Sequence, residues 1–147
     1  MQKLSEIKVS YSNRQPASER KTVKCSDNAA KYLREVFEPG IIDYREMFYI
    51  LCLNRSNKVL GFSQISVGGI SGTISDIRII FQTALKSNSS ALIVCHNHPS
   101  GNLNPSQADK TITKKLVDAG KLLDISVLDH VILTEESYYS FADNNLI

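Results

Sequence analysis

Residues 91–109 read ALIVCHNHPSGNLNPSQAD, and the fold turns on how this stretch is divided. Ala91 to Cys95 is a short unbroken apolar run, the pattern of a strand covered on both faces. It leads straight into His96. Pro99 has no N–H to give to a ladder and marks the end of the strand, and Ser100-Gly101 can turn the chain back. Ser106 then opens a helix expected to run to about Ala119, with Gly120 near its end. Side chains two apart on a strand leave the same face, so His96 and His98 can converge on one ion. Asp109 falls in the first turn of the helix, where its carboxylate can point back to the strand end. Two imidazoles and one carboxylate, with water in the fourth position, make an open tetrahedral zinc site of the catalytic kind. Structural zinc sites usually take four protein ligands and favour cysteine. The same residues also allow a plainer reading. Ser106-x-x-Asp109 is close to a capping box, Asn104-Pro105 fits a turn before a helix, and a His-x-His is by itself a weak metal signal. On the residues alone, both readings stand.

Working outward, Leu4, Ile7, Val9 and Tyr11 alternate in part and suggest a first strand. In SDNAAKYLREVFEPG (residues 26–40), Ser26 can cap a helix whose stripe is Ala29, Ala30, Leu33, Val36 and Phe37, with Pro39-Gly40 as its stop. Met47 to Leu53 and Lys58 to Ile65 are β-prone runs about a polar Asn54-to-Asn57 turn, which is a hairpin signal. VGGISGTIS (67–75) supplies three glycines and a turn. Ser75 is then expected to cap a helix from Asp76 to about Lys86, with Ile77, Ile80, Phe81 and Ala84 on one side. ISVLDHVIL (125–133) reads as a strand and YYSFAD (138–143) as a last short one. Helix, hairpin, helix, strand, helix, strand predicts an α/β fold, a three-layer α-β-α domain with a mixed central sheet.

The chain of 147 residues fits one domain, with residues 1–45 read as an N-terminal extension, and it can bury a substantial core. A net charge of +2 is too small to imply a nucleic-acid partner, and Arg14, Arg20, Lys21 and Lys24 read as a solvated face. The cysteines, Cys25, Cys52 and Cys95, are odd in number and widely spaced, which argues against a disulfide framework. Cys52 and Cys95 lie in apolar runs, where buried, inert thiols are expected. No apolar stretch approaches the roughly 18–20 residues of a membrane span. The first residues, MQKLSEIKVSYS, lack the hydrophobic core of a secretion signal. A soluble, cytoplasmic protein is expected.

Three other motif readings fail. Nucleases named for the letters HNH spread those residues over a ββα unit rather than using three in succession. Zinc deaminases need H-x-E and P-C-x-x-C, and helical zincins need H-E-x-x-H; neither set occurs here.

His96-Asn97-His98-Pro99, followed by Ser106 and Asp109, matches H-x-H-P-x(6)-S-x-x-D. It resembles the JAMM signature of JAB/MPN metalloproteases. The longer string HNHPSGNLNPSQAD, with the later LLDISVLDHVIL, resembles the bacterial RadC branch, over a span from about Glu46 to Asp143. The resemblance implies a JAB/MPN, cytidine-deaminase-like architecture and one zinc ion held by His96, His98 and Asp109. It implies that Ser106 hydrogen-bonds the activated water or the developing oxyanion, and that Glu46 is the catalytic base. Spacing alone could not have chosen Glu46 over Glu35 or Glu38. The implied activity is zinc-dependent hydrolysis of a peptide or isopeptide bond in an unknown protein or peptide substrate; the RadC name also carries a DNA-repair label. Asn97 is expected to organise its loop, and Asp129 and His130 to support the sheet or the surroundings of the site.

This chain departs from the pattern in two places. Where RadC proteins commonly carry Pro-Arg-Glu before the middle helix, it has Ile77-Arg78-Ile79. The roughly forty residues before Glu46 are also too short for the family's helix-hairpin-helix region, so DNA contact through that module is not expected. A non-catalytic or DNA-associated module that keeps the metal site is the alternative reading.

Overall fold

The computed structural model describes residues 3–68 and 75–147. Its centre is a five-stranded mixed sheet. Strands β1 (Met47–Leu53), β2 (Val59–Val67), β3 (Ala91–Asn97), β4 (Ser126–Leu133) and β5 (Tyr138–Ser140) lie in the order β2-β1-β3-β4-β5. The pair β3 and β4 is parallel, and the other neighbours are antiparallel. A parallel pair needs a crossover, and helix α3 (Gln107–Leu122) supplies it. Helix α1 (Ser26–Val36) covers one face of the sheet, and α2 (Ile77–Lys86) with α3 covers the other.

The two layers explain the unbroken apolar runs. In β1, Tyr49, Leu51 and Leu53 pack with Ala29, Ala30 and Leu33 of α1. Phe48, Ile50 and Cys52 pack instead with Ile80, Phe81 and Ala84 of α2 and Leu116 of α3. All seven residues of β3 are buried as well. A strand roofed on both sides has no position left for a polar residue without a partner. β2, at the sheet edge, alternates in exposure and leaves Phe62 and Val67 partly in water. Cys52 and Cys95 are buried free thiols, and burial pushes the Cys95 thiol up.

The β1–β2 turn is held by the Asn54 carboxamide, whose Oδ1 accepts from Ser56 N at 2.9 Å and Lys58 N at 3.0 Å. Beyond it, β2 runs two residues past the expected end at Ile65.

Several local expectations are corrected. Residues 4–11 form no strand; Leu4, Ile7 and Val9 stand in solvent because no neighbouring strand offers them a ladder. Ser26 does not cap α1: the N-cap is Cys25, and the Ser26 hydroxyl instead donates to Asp143. α2 is capped by Asp76 rather than Ser75, through a 2.9 Å bond from Arg78 N. Most of the glycine-rich stretch 67–75 lies outside the described residues. Gly120 does not terminate α3 but lies within it, where a Cβ would stand 2.2 Å from the Ile125 carbonyl oxygen. The left-handed turn after the helix falls to Asp124, at φ 54°.

Candidate metal centre

β3 ends at the site. His96, its penultimate residue, is buried, and His98 lies just beyond, its N–H continuing the parallel pairing to Leu133 O at 2.9 Å. The chain then reverses through Gly101, at φ 82°, a conformation that glycine adopts without steric cost. This reversal sets the carbonyl of Asn102 2.6 Å from His98 Nδ1. A carbonyl only accepts, so Nδ1 carries the proton and the Nε2 lone pair of neutral His98 is free.

Asp109 is fixed by the capping box at the start of α3. Its N–H donates to Ser106 Oγ at 3.0 Å, and its Oδ2 accepts from Ser106 N at 2.8 Å. The capping interaction therefore orients the carboxylate. His96 Nε2 lies 2.9 Å from His98 Nε2 and 3.3 Å from Asp109 Oδ1, while His98 Nε2 lies 3.5 Å from Asp109 Oδ2. Ligand atoms bonded tetrahedrally at about 2.0–2.1 Å sit roughly 3.3 Å apart. The observed separations bracket that value, and the donor set of two imidazoles and a carboxylate suits a borderline-soft divalent ion better than calcium or magnesium. The His96–His98–Asp109 cluster could bind a metal ion.

Burial acts to raise the Asp109 carboxyl, but the His96 and His98 side chains beside it, together with the Ser106 backbone N–H, outweigh it and hold the group well below the usual carboxylate range. His98 is pushed up, chiefly by its Asp109 hydrogen bond. A proton is thus drawn to the same lone pairs that a metal would take.

Glu46 immediately precedes β1. The antiparallel register pairs Phe48 with His96, and continuing it by two residues sets Glu46 opposite His98 on the same face. The half-buried Glu46 carboxyl is raised, first by burial, while the fields of His96 and His98 pull it down and that of Asp109 pushes it up. Asn97, on the reverse face, anchors the approach to β1. Its amide donates to Ile42 O at 2.8 Å and Arg45 O at 2.9 Å, and its Oδ1 accepts from Met47 N at 2.8 Å. Asn97, expected to organise its own loop, instead holds the segment before β1 with its side chain, including both residues that flank Glu46.

The structure gathers His96, His98 and Asp109, with Glu46 within their electrostatic reach. Ser106 is exposed and contacts Asp109 through the cap. Arg78 turns away, pairing with Asp76 at 3.1 Å. His130 is expected from the sequence to support the sheet or the surroundings of the site, with no partner named. It proves fully buried, with Nε2 2.7 Å from His96 Nδ1 and Nδ1 2.6 Å from the Thr113 hydroxyl. Burial lowers it well below the usual histidine range, which keeps it neutral. The adjacency arises from the parallel pairing of β3 with β4, which no local pattern announces. Its neighbour Asp129 faces the opposite way and accepts from His130 N, Ala142 N and Ser140 Oγ.

The profile of the RadC-like JAB domain matches residues 23–146. The chain belongs to the RadC-like JAB domain family. The match to this family begins upstream of Glu46 and takes in α1, so the resemblance extends further than its motifs. The chain is 56% identical to a UPF0758 protein of Flavobacterium johnsoniae over 101 residues, covering 69% of this chain and 44% of that protein. It is 38% identical to a UPF0758 protein of Syntrophomonas wolfei over 129 residues, 87% of this chain and 55% of the relative. With the UPF0758 protein YfjY of Escherichia coli it shares 46% identity over 103 residues, 70% of this chain and 64% of the other. The chain spans about half the length of the first two relatives. Among the described residues of this RadC-like chain, no helix is long and apolar enough to cross a membrane.

Proposed function

We propose that the chain is a zinc-dependent hydrolase of peptide or isopeptide bonds, with His96, His98 and Asp109 as the metal ligands. One observation carries this reading: three donor atoms converge at ligand spacing, and the half-buried Glu46 carboxyl, just before the neighbouring strand, lies within their electrostatic reach. Three protein ligands leave a coordination position open, as catalytic zinc sites do. When bound, zinc supplies a Lewis acid that polarises the scissile carbonyl and lets a water lose its proton near neutral pH.

The residues of the chain do the rest. Glu46 takes the proton from the attacking water, whose oxygen forms the new bond to the carbonyl carbon. As the carbon–nitrogen bond breaks, Glu46 returns the proton to the leaving amine. The raised pKa suits both tasks, because a carboxyl nearer neutrality gives up its proton as readily as it takes one. The lone pair of Ser106 is occupied by Asp109 N–H, which leaves its hydroxyl proton free to meet the oxyanion. Asn97 keeps Glu46 at the mouth of the site.

The test is metal content and cleavage of peptide and isopeptide substrates by wild type, Glu46→Gln and His98→Ala. Wild type should bind zinc and cleave, Glu46→Gln should bind zinc without cleaving, and His98→Ala should lose the metal. A wild-type protein that takes up no zinc refutes the metal reading, and equal cleavage by Glu46→Gln refutes the role of the glutamate.

A further inference from the structure

His130 and Thr113 lie outside the set of donors, yet both are buried against it and both have directional hydrogen bonds. Thr113 Oγ1 is 2.6 Å from the backbone oxygen of Asp109, which can only accept, so the threonine gives its single proton there. Toward His130 Nδ1, also at 2.6 Å, it then has only a lone pair, and Nδ1 must carry the hydrogen. The His130 ring is stacked on Phe141 at 4.6 Å and meets the Phe48 ring at 5.8 Å. The ring is fully buried between those two aromatic rings, and among the described residues no carboxylate hydrogen-bonds to it, so a charged ring would be desolvated without a direct partner. A neutral ring protonated on Nδ1 presents a bare Nε2. That atom lies 2.7 Å from His96 Nδ1, which therefore carries a proton and donates it. The Nε2 of His96 is left as a lone pair, aimed at His98 and Asp109.

We infer that Thr113 and His130 form a hydrogen-bond relay that fixes His96 in the tautomer able to ligate the metal. The relay begins at the backbone of Asp109 and ends at His96, whose unprotonated Nε2 lies 3.3 Å from the carboxylate of the same residue. It ties α3, β4 and β3 into one circuit, so that the orientation of one ligand is set by the anchoring of another. His130 and Thr113 are positioning residues. Partners of this kind typically hold about 10- to 100-fold of metal affinity. This inference rests on the metal reading of the site.

The test uses the full chain. In imidazole nitrogen spectra of the metal-free protein, His96 should be protonated on Nδ1, and the proton between the facing Nε2 atoms of His96 and His98 should sit on His98. Thr113→Val removes the lock while keeping the shape. His130 can then reverse its tautomer, and a population of His96 protonated on Nε2 should appear; Thr113→Ser should restore the wild-type spectrum. Zinc affinity, read by competition with a chromogenic chelator, should fall about 10- to 100-fold in His130→Asn, whose amide reaches only the Thr113 side. His130→Gln, whose amide reaches the Nε2 position, should hold zinc nearly as wild type does. His96 protonated on Nε2 in wild type overturns the relay, as does equal zinc affinity in His130→Asn and wild type. A wild type that binds no zinc, with the spectra as expected, overturns the metal reading and not the tautomer assignment.

Discussion

His96 and Asn97 are adjacent in β3 and face opposite sides of the sheet, and the protein satisfies them in opposite ways. The Asn97 amide spends both hydrogens and its oxygen on backbone groups of residues 42–47. Asp129, on the same face one strand away, is likewise met at both oxygens. Across the sheet, His96 and His98 are met at Nδ1, while their Nε2 atoms turn to one another and to Asp109. Buried polar groups in folded proteins are normally satisfied in full. On one face mainly backbone groups meet the polar side chains; on the other, His96 and His98 meet each other and Asp109, at spacings that could hold a metal ion.

The largest expected effect falls on the face that carries the His96–His98–Asp109 cluster. Glu46→Gln should lower turnover by about 100- to 10,000-fold, the usual contribution of a general base, with zinc content unchanged. The wild-type pH profile at saturating zinc should show an acid limb where Glu46 takes up a proton and can no longer act as a base. That limb should vanish in Glu46→Gln. The raised Glu46 carboxyl also makes a stability prediction. A raised carboxyl favours the folded state below 4.5, and that contribution is lost as pH rises through the folded value. Metal-free Glu46→Gln should therefore melt above wild type at neutral pH, and a lower melting temperature would contradict the burial of the charge.

Ser106 is a helix cap and a proposed oxyanion donor, and one substitution separates the two roles. Ser106→Gly costs the helix only a few tenths of a kcal/mol, since glycine is a tolerated N-cap. It removes the hydroxyl, and turnover should fall roughly 100- to 1,000-fold if that proton meets the oxyanion. A change in rate no larger than the change in stability would leave Ser106 as a cap alone.

On the Asn97 face the effect should be thermodynamic. Asn97→Ala strands two carbonyls and an N–H, each costing about 1–3 kcal/mol when buried and unmet. Urea unfolding should show a loss of at least about 2 kcal/mol. Turnover should suffer more than zinc content, because the clamp holds the segment that carries Glu46. Remote from both faces of the site, Gly120→Ala drives a Cβ against the Ile125 carbonyl and should cost about 1–3 kcal/mol of stability while leaving zinc affinity intact.

Much of this was legible in order along the chain. The unbroken run from Ala91 to Cys95 requires a strand roofed on both sides, and His96, His98, Ser106 and Asp109 are set by two short local periods, the strand's and the first helical turn's. Local chemistry also misled. Ser26 and Ser75 have the right side chain for a cap, but Cys25 and Asp76 occupy the cap positions. Leu4, Ile7 and Val9 alternate like a strand without a partner to pair with. Gly120 suggests a helix end, yet it is there for the close approach of Ile125.

The sequence by itself placed His96, His98 and Asp109 as candidate donors, since residue type and spacing of two and eleven positions along 96–109 are properties of one local segment, and the family resemblance favoured that reading over a plain helix cap. Only the tertiary structure decided what surrounds it. Glu46 joins through the register of β1 on β3, Asn97 through its grip on residues 42–47, and His130 and Thr113 through the crossover that sets β4 beside β3. Those contacts span from 17 to 55 positions of sequence. They depend on which strands become neighbours, a choice made by burial of the whole core rather than by any short pattern.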